Sequence, residues 1–340
     1  MIPVIKLADL EARRPESLEL LHASLRDNTL VHVDARTELG AGFFSDLYGQ
    51  TRSFFALPEE RKKALDIDKS PNYRGYVGQG TEYTNGVPDL KESFEFGKET
   101  PAPEGERLHW YGLYGDNQWP GEATLPGFRA VVDAYSAAMD RIALAALACL
   151  QLTLDQEADP EKGVTGGELC SFSRLIYYRD PKGFGAGEAR LERHTDSGLL
   201  TIGLQNAAGL EAQAANGEWL RVEPPADVFT VFPGELMEIW THGYYRACAH
   251  RVRNAALSGE RLSYASFFLP DLQRELVPMD RATSARLSGP LSVPGANPWL
   301  AGGSELPPAT PIGQLEWDRM NVIFPGRDTA EAETQKGQVQ

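Results

Sequence analysis

Histidine and carboxylate side chains near the middle of the chain have a spacing that suits a metal ion. His194 and Asp196 stand directly before the apolar run 199–205, which predicts a buried strand. On an extended segment, residues i and i+2 point to the same side. An imidazole and a carboxylate could therefore occupy two adjacent coordination positions of one ion. The pair alone is a weak signal, because a polar surface turn contains the same residue types.

A third candidate ligand lies further along the chain. His250 belongs to the β-type run 247–252, and strands far apart in sequence become neighbours in a jelly roll. Two imidazoles and one carboxylate on one face of a metal leave positions open for other ligands. This facial triad is typical of non-haem Fe(II) that binds dioxygen and an oxidisable cosubstrate. Zinc more often has a different ligand set and one open position.

A possible carboxylate-binding pair follows the third ligand. Arg261 and Ser263 share one face of a predicted strand, because side chains alternate along an extended chain. A guanidinium group beside a hydroxyl can bind a carboxylate, with two parallel hydrogen bonds from the guanidinium. An ordinary ion pair is the alternative for Arg261 considered alone.

The elements around these residues predict a mixed α/β protein with a mainly β core. Helices are expected from residue 15, at 43–56 and at 128–152, with a short one around 314–317, and a strand at 29–34. The region 72–98 is expected to be irregular. Eight short runs then predict strands at 172–178, 199–205, 209–213, 219–222, 228–232, 236–240, 247–252 and 262–268. This order favours a double-stranded β-helix (jelly roll) braced by N-terminal and central helices.

The composition limits the possible partners and locations. The net charge of −15 argues against nucleic acid and anionic membrane surfaces, which require clustered Lys and Arg. No uninterrupted apolar run has the length of a membrane span, and the N-terminus does not resemble a signal peptide. Three cysteines without metal-type spacing suit a reducing compartment. A cytoplasmic protein is expected, and its oligomeric state stays open.

Several further segments match one known family. The pattern His194-x-Asp196, His250 and Arg261-x-Ser263 resembles the signature of the Fe(II)/2-oxoglutarate-dependent dioxygenases, in particular their isopenicillin N synthase-like branch. The resemblance covers about residues 1–270. It includes the segments 54–62, 74–76, 89–94, 117–120, 240–243 and 250–252. The chain differs from the family where His242 replaces a frequent Asn, and where Ile176-Tyr177-Tyr178-Arg179 replaces Asn-Tyr-Tyr-Pro.

The resemblance implies a cofactor, two cosubstrates and their ligands. Fe(II) would be held by the catalytic residues His194, Asp196 and His250. The cosubstrate 2-oxoglutarate would contact the iron and place its distal carboxylate on Arg261 and Ser263. Two residues of the preceding predicted strand would assist it, Tyr178 through its hydroxyl and Arg174 as a second positive contact, although an ion pair is an equal alternative for Arg174. Dioxygen would complete the site.

The resemblance also implies a reaction class without naming the substrate. The expected reaction is oxidation of a small metabolite of secondary metabolism, with release of succinate and CO2. Hydroxylation is favoured, and desaturation or cyclisation are possible. An isopenicillin N synthase-like oxidase that needs no 2-oxoglutarate, and an inactive jelly-roll binding protein, are the alternatives.

Candidate substrate contacts lie in two places. Glu82, Tyr83 and Thr84 occur in a loop that would line the mouth of the site and suit a polar or cationic group; a solvated loop is the alternative. Ser197, beside the predicted metal ligands, would face the substrate.

The expected organisation is a single oxygenase domain over residues 1–326. It comprises a helix-rich part (1–165), a metal-binding jelly roll (166–270) and a C-terminal extension (271–326). Residues 327–340 are expected to form a flexible tail.

Overall fold

The structure is a computed structural model. It describes residues 2–84, 86–105, 108–179, 189–253, 259–275, 277–287 and 310–324. The tail expected at 327–340 lies outside the described residues.

Strands and helices alternate in the N-terminal half, and strands dominate from residue 170 to 269. The described strands are β1 (Val4–Lys6), β2 (Val31–Asp34), β3 (Gly75–Val77), β4 (Tyr83–Thr84), β5 (Val87–Pro88), β6 (Glu92–Gly97), β7 (Cys170–Tyr178), β8 (Ala189–His194), β9 (Leu200–Gln205), β10 (Leu210–Gln213), β11 (Trp219–Arg221), β12 (Phe229–Pro233), β13 (His250–Arg253) and β14 (Arg261–Leu269). The described α-helices are α1 (Leu7–Glu11), α2 (Pro15–Asp27), α3 (Arg36–Leu39), α4 (Phe43–Phe55), α5 (Glu59–Lys63), α6 (Phe128–Thr153), α7 (Glu235–Trp240) and α8 (Ile312–Ile323). Short 3-10 helices cover Ile67–Lys69, His109–Leu113, Arg281–Thr283 and Ala285–Leu287.

Two facing sheets form the core of the jelly roll. The larger has the order β1-β2-β12-β9-β14-β7-β6-β3, and the smaller has the order β11-β10-β13-β8. Side chains from both sheets meet between them: Ile176 and Tyr178 of β7 pack with Val252 of β13. The predicted double-stranded β-helix is confirmed.

Helix α6 fills the opposite face of the larger sheet. It packs against α1, α2, α4 and β9, and Tyr135 donates or accepts a 3.0 Å hydrogen bond with Ser266 of β14. By length and hydropathy α6 could cross a bilayer, but 61% of its most apolar window is buried within the protein. This burial is that of a core helix, in line with the expected bracing of the β core by helices.

One predicted strand is wrong: the run 236–240 is part of helix α7. Short apolar runs do not distinguish a buried strand from a buried helix. The first turn of α7 is fixed by tertiary contacts, since the backbone N–H groups of Glu235 and Leu236 donate to the carbonyls of Asp196 and Ser197 at 2.8 and 3.0 Å. Gly234 permits this approach, because a Cβ there would lie 2.2 Å from the carbonyl oxygen of Gly198.

Six of the described strands were not predicted, namely β1, β3, β4, β5, β6 and β8, and two of them, β8 and β6, bear on the site. Strand β8, with the sequence Ala-Arg-Leu-Glu-Arg-His, has no β-branched residue and no regular alternation that would indicate a strand. Strand β6, within the region expected to be irregular, pairs with β7 along its whole length. Both strands contribute residues to the site.

Candidate metal centre and active site

The two candidate histidine ligands face each other across a strand pair. His194 ends β8, His250 begins β13, and the two residues are directly opposite in the antiparallel register. Their ring centroids lie 4.2 Å apart. Pairing of β8 with β13 therefore brings together two histidines that are far apart in the sequence.

Backbone carbonyls orient both imidazole rings. The Nδ1 atom of His194 donates to the carbonyl of Glu192 at 2.8 Å, and that of His250 to the carbonyl of Cys248 at 3.0 Å. These bonds leave both Nε2 atoms as acceptors, the form that binds a metal. Desolvation lowers the pKa of His194 to about 3, so its ring is neutral.

Asp196 completes the triad from a loop, and not from the same strand as His194. Its carboxylate oxygens lie 3.6 Å from Nε2 of His194 and 3.8 Å from Nε2 of His250. The Thr201 hydroxyl donates to Asp196 Oδ2 at 2.7 Å, and the first turn of α7 holds the Asp196 carbonyl. One ligand atom from each triad residue lies within 4.8 Å of the others. Two imidazoles and one carboxylate at this separation fit Fe(II).

Arg261 has one guanidinium nitrogen without a partner. Nη2 donates to Gln205 Oε1 at 2.8 Å and Nε to the Ala207 carbonyl at 3.3 Å. Nη1 is buried and has no hydrogen-bond acceptor. The guanidinium lies 4.9 Å from the ring centroid of Tyr178, its partner across the β7–β14 pair. An orphaned buried donor on a fixed guanidinium fits an anionic ligand.

Ser263 lies two residues from Arg261 on the same face of β14. It pairs in register with Gln205 of β9 and Ile176 of β7. Thus Arg261, Ser263 and Tyr178 are brought to one end of the sheet interior. A cavity of about 580 Å³ opens beside His194, and among the described residues that line it there is none of these three.

Arg174 makes ion pairs within the site. Its Nη1 lies 3.0 Å from Glu82 Oε1, and its Nε lies 3.2 Å from Glu95 Oε2. Lys91 binds Glu82 as well, at 2.7 Å. The geometry shows the ion-pair alternative for Arg174, and a contact with 2-oxoglutarate stays a prediction.

A cavity of about 580 Å³ opens beside the metal ligands. The candidate substrate residues Glu82, Tyr83, Thr84 and Ser197 all line it, together with His194. Its acidic lining residues are Glu82, Glu95, Asp196, Glu316 and Asp318, and its basic lining residues are Arg74, Arg174 and Arg319.

The sequence interpretation missed the whole C-terminal wall of this cavity. Residues Leu315, Glu316, Arg319 and Met320 of α8 line it. The one signal in the sequence is Glu316 itself, a charged residue between Leu315 and Trp317. Burial raises the pKa of Glu316, and its Oε2 atom has no hydrogen-bond partner.

Arg319 attaches α8 to the metal-binding loop. Its Nη1 donates to Glu235 Oε2 at 2.7 Å and its Nη2 to the Thr195 carbonyl at 2.8 Å. The Thr195 hydroxyl also donates to Glu235. Residue 195 lies between two candidate metal ligands, so this network connects α8 with the triad.

Arg74 lines the cavity from the N-terminal part of the chain. Only 2% of its surface is exposed, its guanidinium lies 4.5 Å from the Phe172 ring centroid, and burial lowers its pKa to about 10. The adjacent Tyr73 packs edge-to-face on Trp317 of α8, with centroids 5.3 Å apart. The N-terminal and C-terminal segments thus meet at the cavity.

Known proteins are similar to this chain in sequence. Residues 2–122 match the family model described as non-haem dioxygenase in morphine synthesis N-terminal, and residues 169–270 match that of the 2OG-Fe(II) oxygenase superfamily. The 2-oxoglutarate-dependent dioxygenase caaD of Aspergillus niger is 32% identical over 286 residues, which are 80% of this chain and 85% of caaD. The homoarginine-6-hydroxylase 2-ODD-233 of rice is 28% identical, with 68% and 70% covered.

Solved structures support the same fold. A putative 2OG-Fe(II) oxygenase family protein of Caulobacter crescentus superimposes with a TM-score of 0.75 at 22% identity, covering 95% of this chain and 99% of that protein. A full-length Neurospora crassa protein, crystallised in complex with alpha-KG, gives a TM-score of 0.69 at 23% identity, with 84% and 89% covered.

The jelly roll and its two-histidine, one-carboxylate site define a non-haem iron oxygenase. The chain belongs to the 2OG-Fe(II) oxygenase superfamily. Its cofactor is Fe(II), and its cosubstrates are 2-oxoglutarate and dioxygen. The predicted oxygenase of a small-molecule metabolite is confirmed in preference to an oxidase that needs no 2-oxoglutarate and to an inactive binding protein.

Proposed function

We propose that His194, Asp196 and His250 are the iron ligands of this oxygenase. The observation that carries the assignment is the convergence of the two Nε2 atoms on the Asp196 carboxylate, at 3.6 and 3.8 Å. Bound Fe(II) supplies the oxidation of the substrate by dioxygen, coupled to conversion of 2-oxoglutarate into succinate and CO2. The protein positions the ligands, keeps the His194 imidazole neutral and encloses the substrate.

Arg261, Ser263 and Tyr178 are the proposed binding residues for the distal carboxylate of 2-oxoglutarate. The free Nη1 donor of Arg261 supports this assignment. Gln205 and Ala207 hold the other two guanidinium nitrogens, so Nη1 is the donor left for the ligand. The Ser263 and Tyr178 hydroxyls provide further donors on the same side of β14 and β7. A second positive contact of Arg174 with this cosubstrate stays a prediction, with the ion pairs to Glu82 and Glu95 as its alternative role.

The proposed substrate is a small molecule held in the cavity beside His194. A volume of about 580 Å³ lies in the range of roughly 300–1,000 Å³ that is typical of small-molecule sites. Hydroxylation is the proposed reaction, and the rice relative is named as a hydroxylase. The roles of Tyr83, Thr84 and Ser197 as substrate contacts rest on their position in the cavity wall. The cytoplasmic location, and the absence of nucleic acid and membrane partners, stay predictions.

Residues 1–326 are proposed to act as one oxygenase domain. Packing of Trp317 on Tyr73 and the bond from Arg319 to Thr195 join its C-terminal extension to both other parts. Separation of the extension should therefore expose the cavity.

The test is anaerobic addition of Fe(II) and 2-oxoglutarate, followed by the visible charge-transfer band. Wild-type protein should develop the band, and His194→Ala should not. Exposed His109 provides the matched control, and His109→Ala should behave as wild type. A band of wild-type intensity in His194→Ala, at equal iron content, would refute the ligand assignment. A metabolite library screened for succinate release then identifies the substrate.

A further inference from the structure

The carboxylates that line the cavity differ in whether other protein groups form ion pairs or hydrogen bonds with them. Glu82 binds both Arg174 and Lys91, at 3.0 and 2.7 Å. Glu95 binds Arg174 at 3.2 Å and accepts the Ser93 hydroxyl at 2.6 Å. The candidate for a cationic group that the sequence suggested, Glu82, is therefore already neutralised by two protein cations.

Glu316 is the exception among the buried carboxylates that line the described cavity. Only 5% of its surface is exposed. Burial raises the pKa of its carboxyl group, and the nearby Ser197 hydroxyl opposes that shift; Oε2 has no hydrogen-bond partner. A buried polar atom without a partner is costly, so its presence requires an explanation. Because Glu316 lines the cavity, a bound ligand would supply the missing donor.

Helix α8 holds Glu316 in a fixed position. Trp317 packs on Tyr73, and Arg319 donates to the Thr195 carbonyl. On the other side, a Cβ on Gly313 would lie 2.1 Å from the Trp110 ring, so the helix approaches that ring as closely as its backbone allows. A carboxylate on a rigid element near the metal loop can orient a substrate.

The charge balance of the cavity favours a cation. Five carboxylates and three guanidinium groups line it, which gives a formal charge of −2 with neutral His194. This negative excess, counted over the lining residues alone, disfavours an anionic substrate.

We propose that Glu316 is a substrate-binding residue and that the substrate carries a protonated amine or a guanidinium group that donates to Glu316 Oε2. This inference rests on the proposed oxygenase function and names the substrate class of the same cavity. A nitrogen held there lies next to Ser197, one residue from the metal ligand Asp196. Glu316 thereby selects the molecule and fixes which end of it approaches the iron.

The test uses the complete protein loaded anaerobically with Fe(II) and 2-oxoglutarate. The probes are metabolite amines and guanidines, each with a neutral isostere such as an alcohol or a urea, together with carboxylates. Binding is read from the change in the visible spectrum of the loaded protein, and succinate release is read separately in air. The spectrum reports binding even for a probe that is not oxidised. If the band itself does not form, the proposed function fails, independently of this inference.

Cations should perturb the spectrum and their neutral isosteres should not. In Glu316→Gln, which keeps the size of the side chain, the dissociation constant of the best cation should rise about 10- to 150-fold, as expected for loss of one charge-assisted hydrogen bond. The affinity for 2-oxoglutarate should be unchanged. Glu168→Gln removes an exposed carboxylate that pairs with Lys98 and should bind the cation as wild type does.

A stability measurement separates substrate binding from a structural role. An unsatisfied buried carboxylate destabilises the folded state, so Glu316→Gln should melt at the wild-type temperature or above it. A lower melting temperature together with unchanged cation binding would overturn the proposal. So would a set of ligands made up of carboxylates or neutral molecules, and carboxylates would instead point to Arg74 as the recognising group.

Discussion

Replacement of Arg261 by Lys tests whether the Nη1 atom of Arg261 binds the distal carboxylate of 2-oxoglutarate. In the wild type, Gln205 and Ala207 accept from two guanidinium nitrogens, and Nη1 alone is left for the ligand. A lysine keeps the positive charge but presents one ammonium group. That group cannot both bind Gln205 Oε1 and reproduce the direction of Nη1. The variant therefore separates the effect of the guanidinium geometry on 2-oxoglutarate binding from the effect of the positive charge.

The expected loss is that of one charge-assisted hydrogen bond. Such a bond contributes about 1.5–3 kcal/mol, and about 1.4 kcal/mol corresponds to a factor of ten in affinity. The dissociation constant for 2-oxoglutarate should rise about 10- to 150-fold. Arg261→Met, which also removes the charge, should raise it further.

The assay is an anaerobic titration of Fe(II)-loaded protein with 2-oxoglutarate, followed at the charge-transfer band. Arg141 is a suitable control, because it pairs with Glu11 on the surface; Arg141→Lys should titrate as wild type. A dissociation constant for Arg261→Lys within twofold of wild type, at an unchanged melting temperature, would refute the reasoning.

Three further predictions concern the loop, helix α8 and a buried histidine. Thr201→Val removes the 2.7 Å hydrogen bond to Asp196 and should weaken Fe(II) binding about 10-fold, the lower end of effects typical of such partners, measured by competition with a chelator. Arg319→Gln removes the bond to the Thr195 carbonyl and should increase amide hydrogen exchange in α8, while α6 exchanges as before. Burial lowers the pKa of His32 to about 4 from its ordinary 6.5. Its contribution to the free energy of unfolding is therefore complete above pH 6.5 and is lost as the pH falls towards 4, by an amount on the order of 1–3 kcal/mol. His32→Gln should flatten that part of the stability profile measured by urea unfolding.

Each of these has a contrary outcome. Unchanged chelator competition in Thr201→Val would mean that Asp196 is held without its hydroxyl partner. Equal exchange of α8 in both proteins would show that aromatic packing alone holds the helix. An identical pH profile for His32→Gln would assign the acid sensitivity to other groups.

The sequence by itself determined the chemistry of the centre. Ligand-type residues are few, with six histidines in the chain, and the order His194, Asp196, His250, Arg261 and Ser263 matches one family pattern. The long helices were also predictable, because α4 and α6 have apolar residues at helical spacing over several turns. These features depend on residue type and on local periodicity, which the sequence records directly.

Local ambiguity limited the prediction of shorter elements. The run 236–240 is apolar and too short for its period to decide between strand and helix. Its helical form depends on carbonyls of the 196–198 loop, which accept its first N–H groups. Strand β8 is polar along much of its length and exists because β13 pairs with it. In both cases a distant segment supplies the hydrogen bonds.

Tertiary structure alone decided which charges are free for a ligand. In the sequence, Glu82 and Glu316 are both single acidic residues near aromatic or apolar neighbours. Folding places two cations on Glu82 and brings Glu316, from the far C-terminal part of the chain, to the same cavity with one oxygen unpaired. Ion pairing is a property of spatial neighbours, so the residues that line the cavity follow from the packing of α8 against the jelly roll.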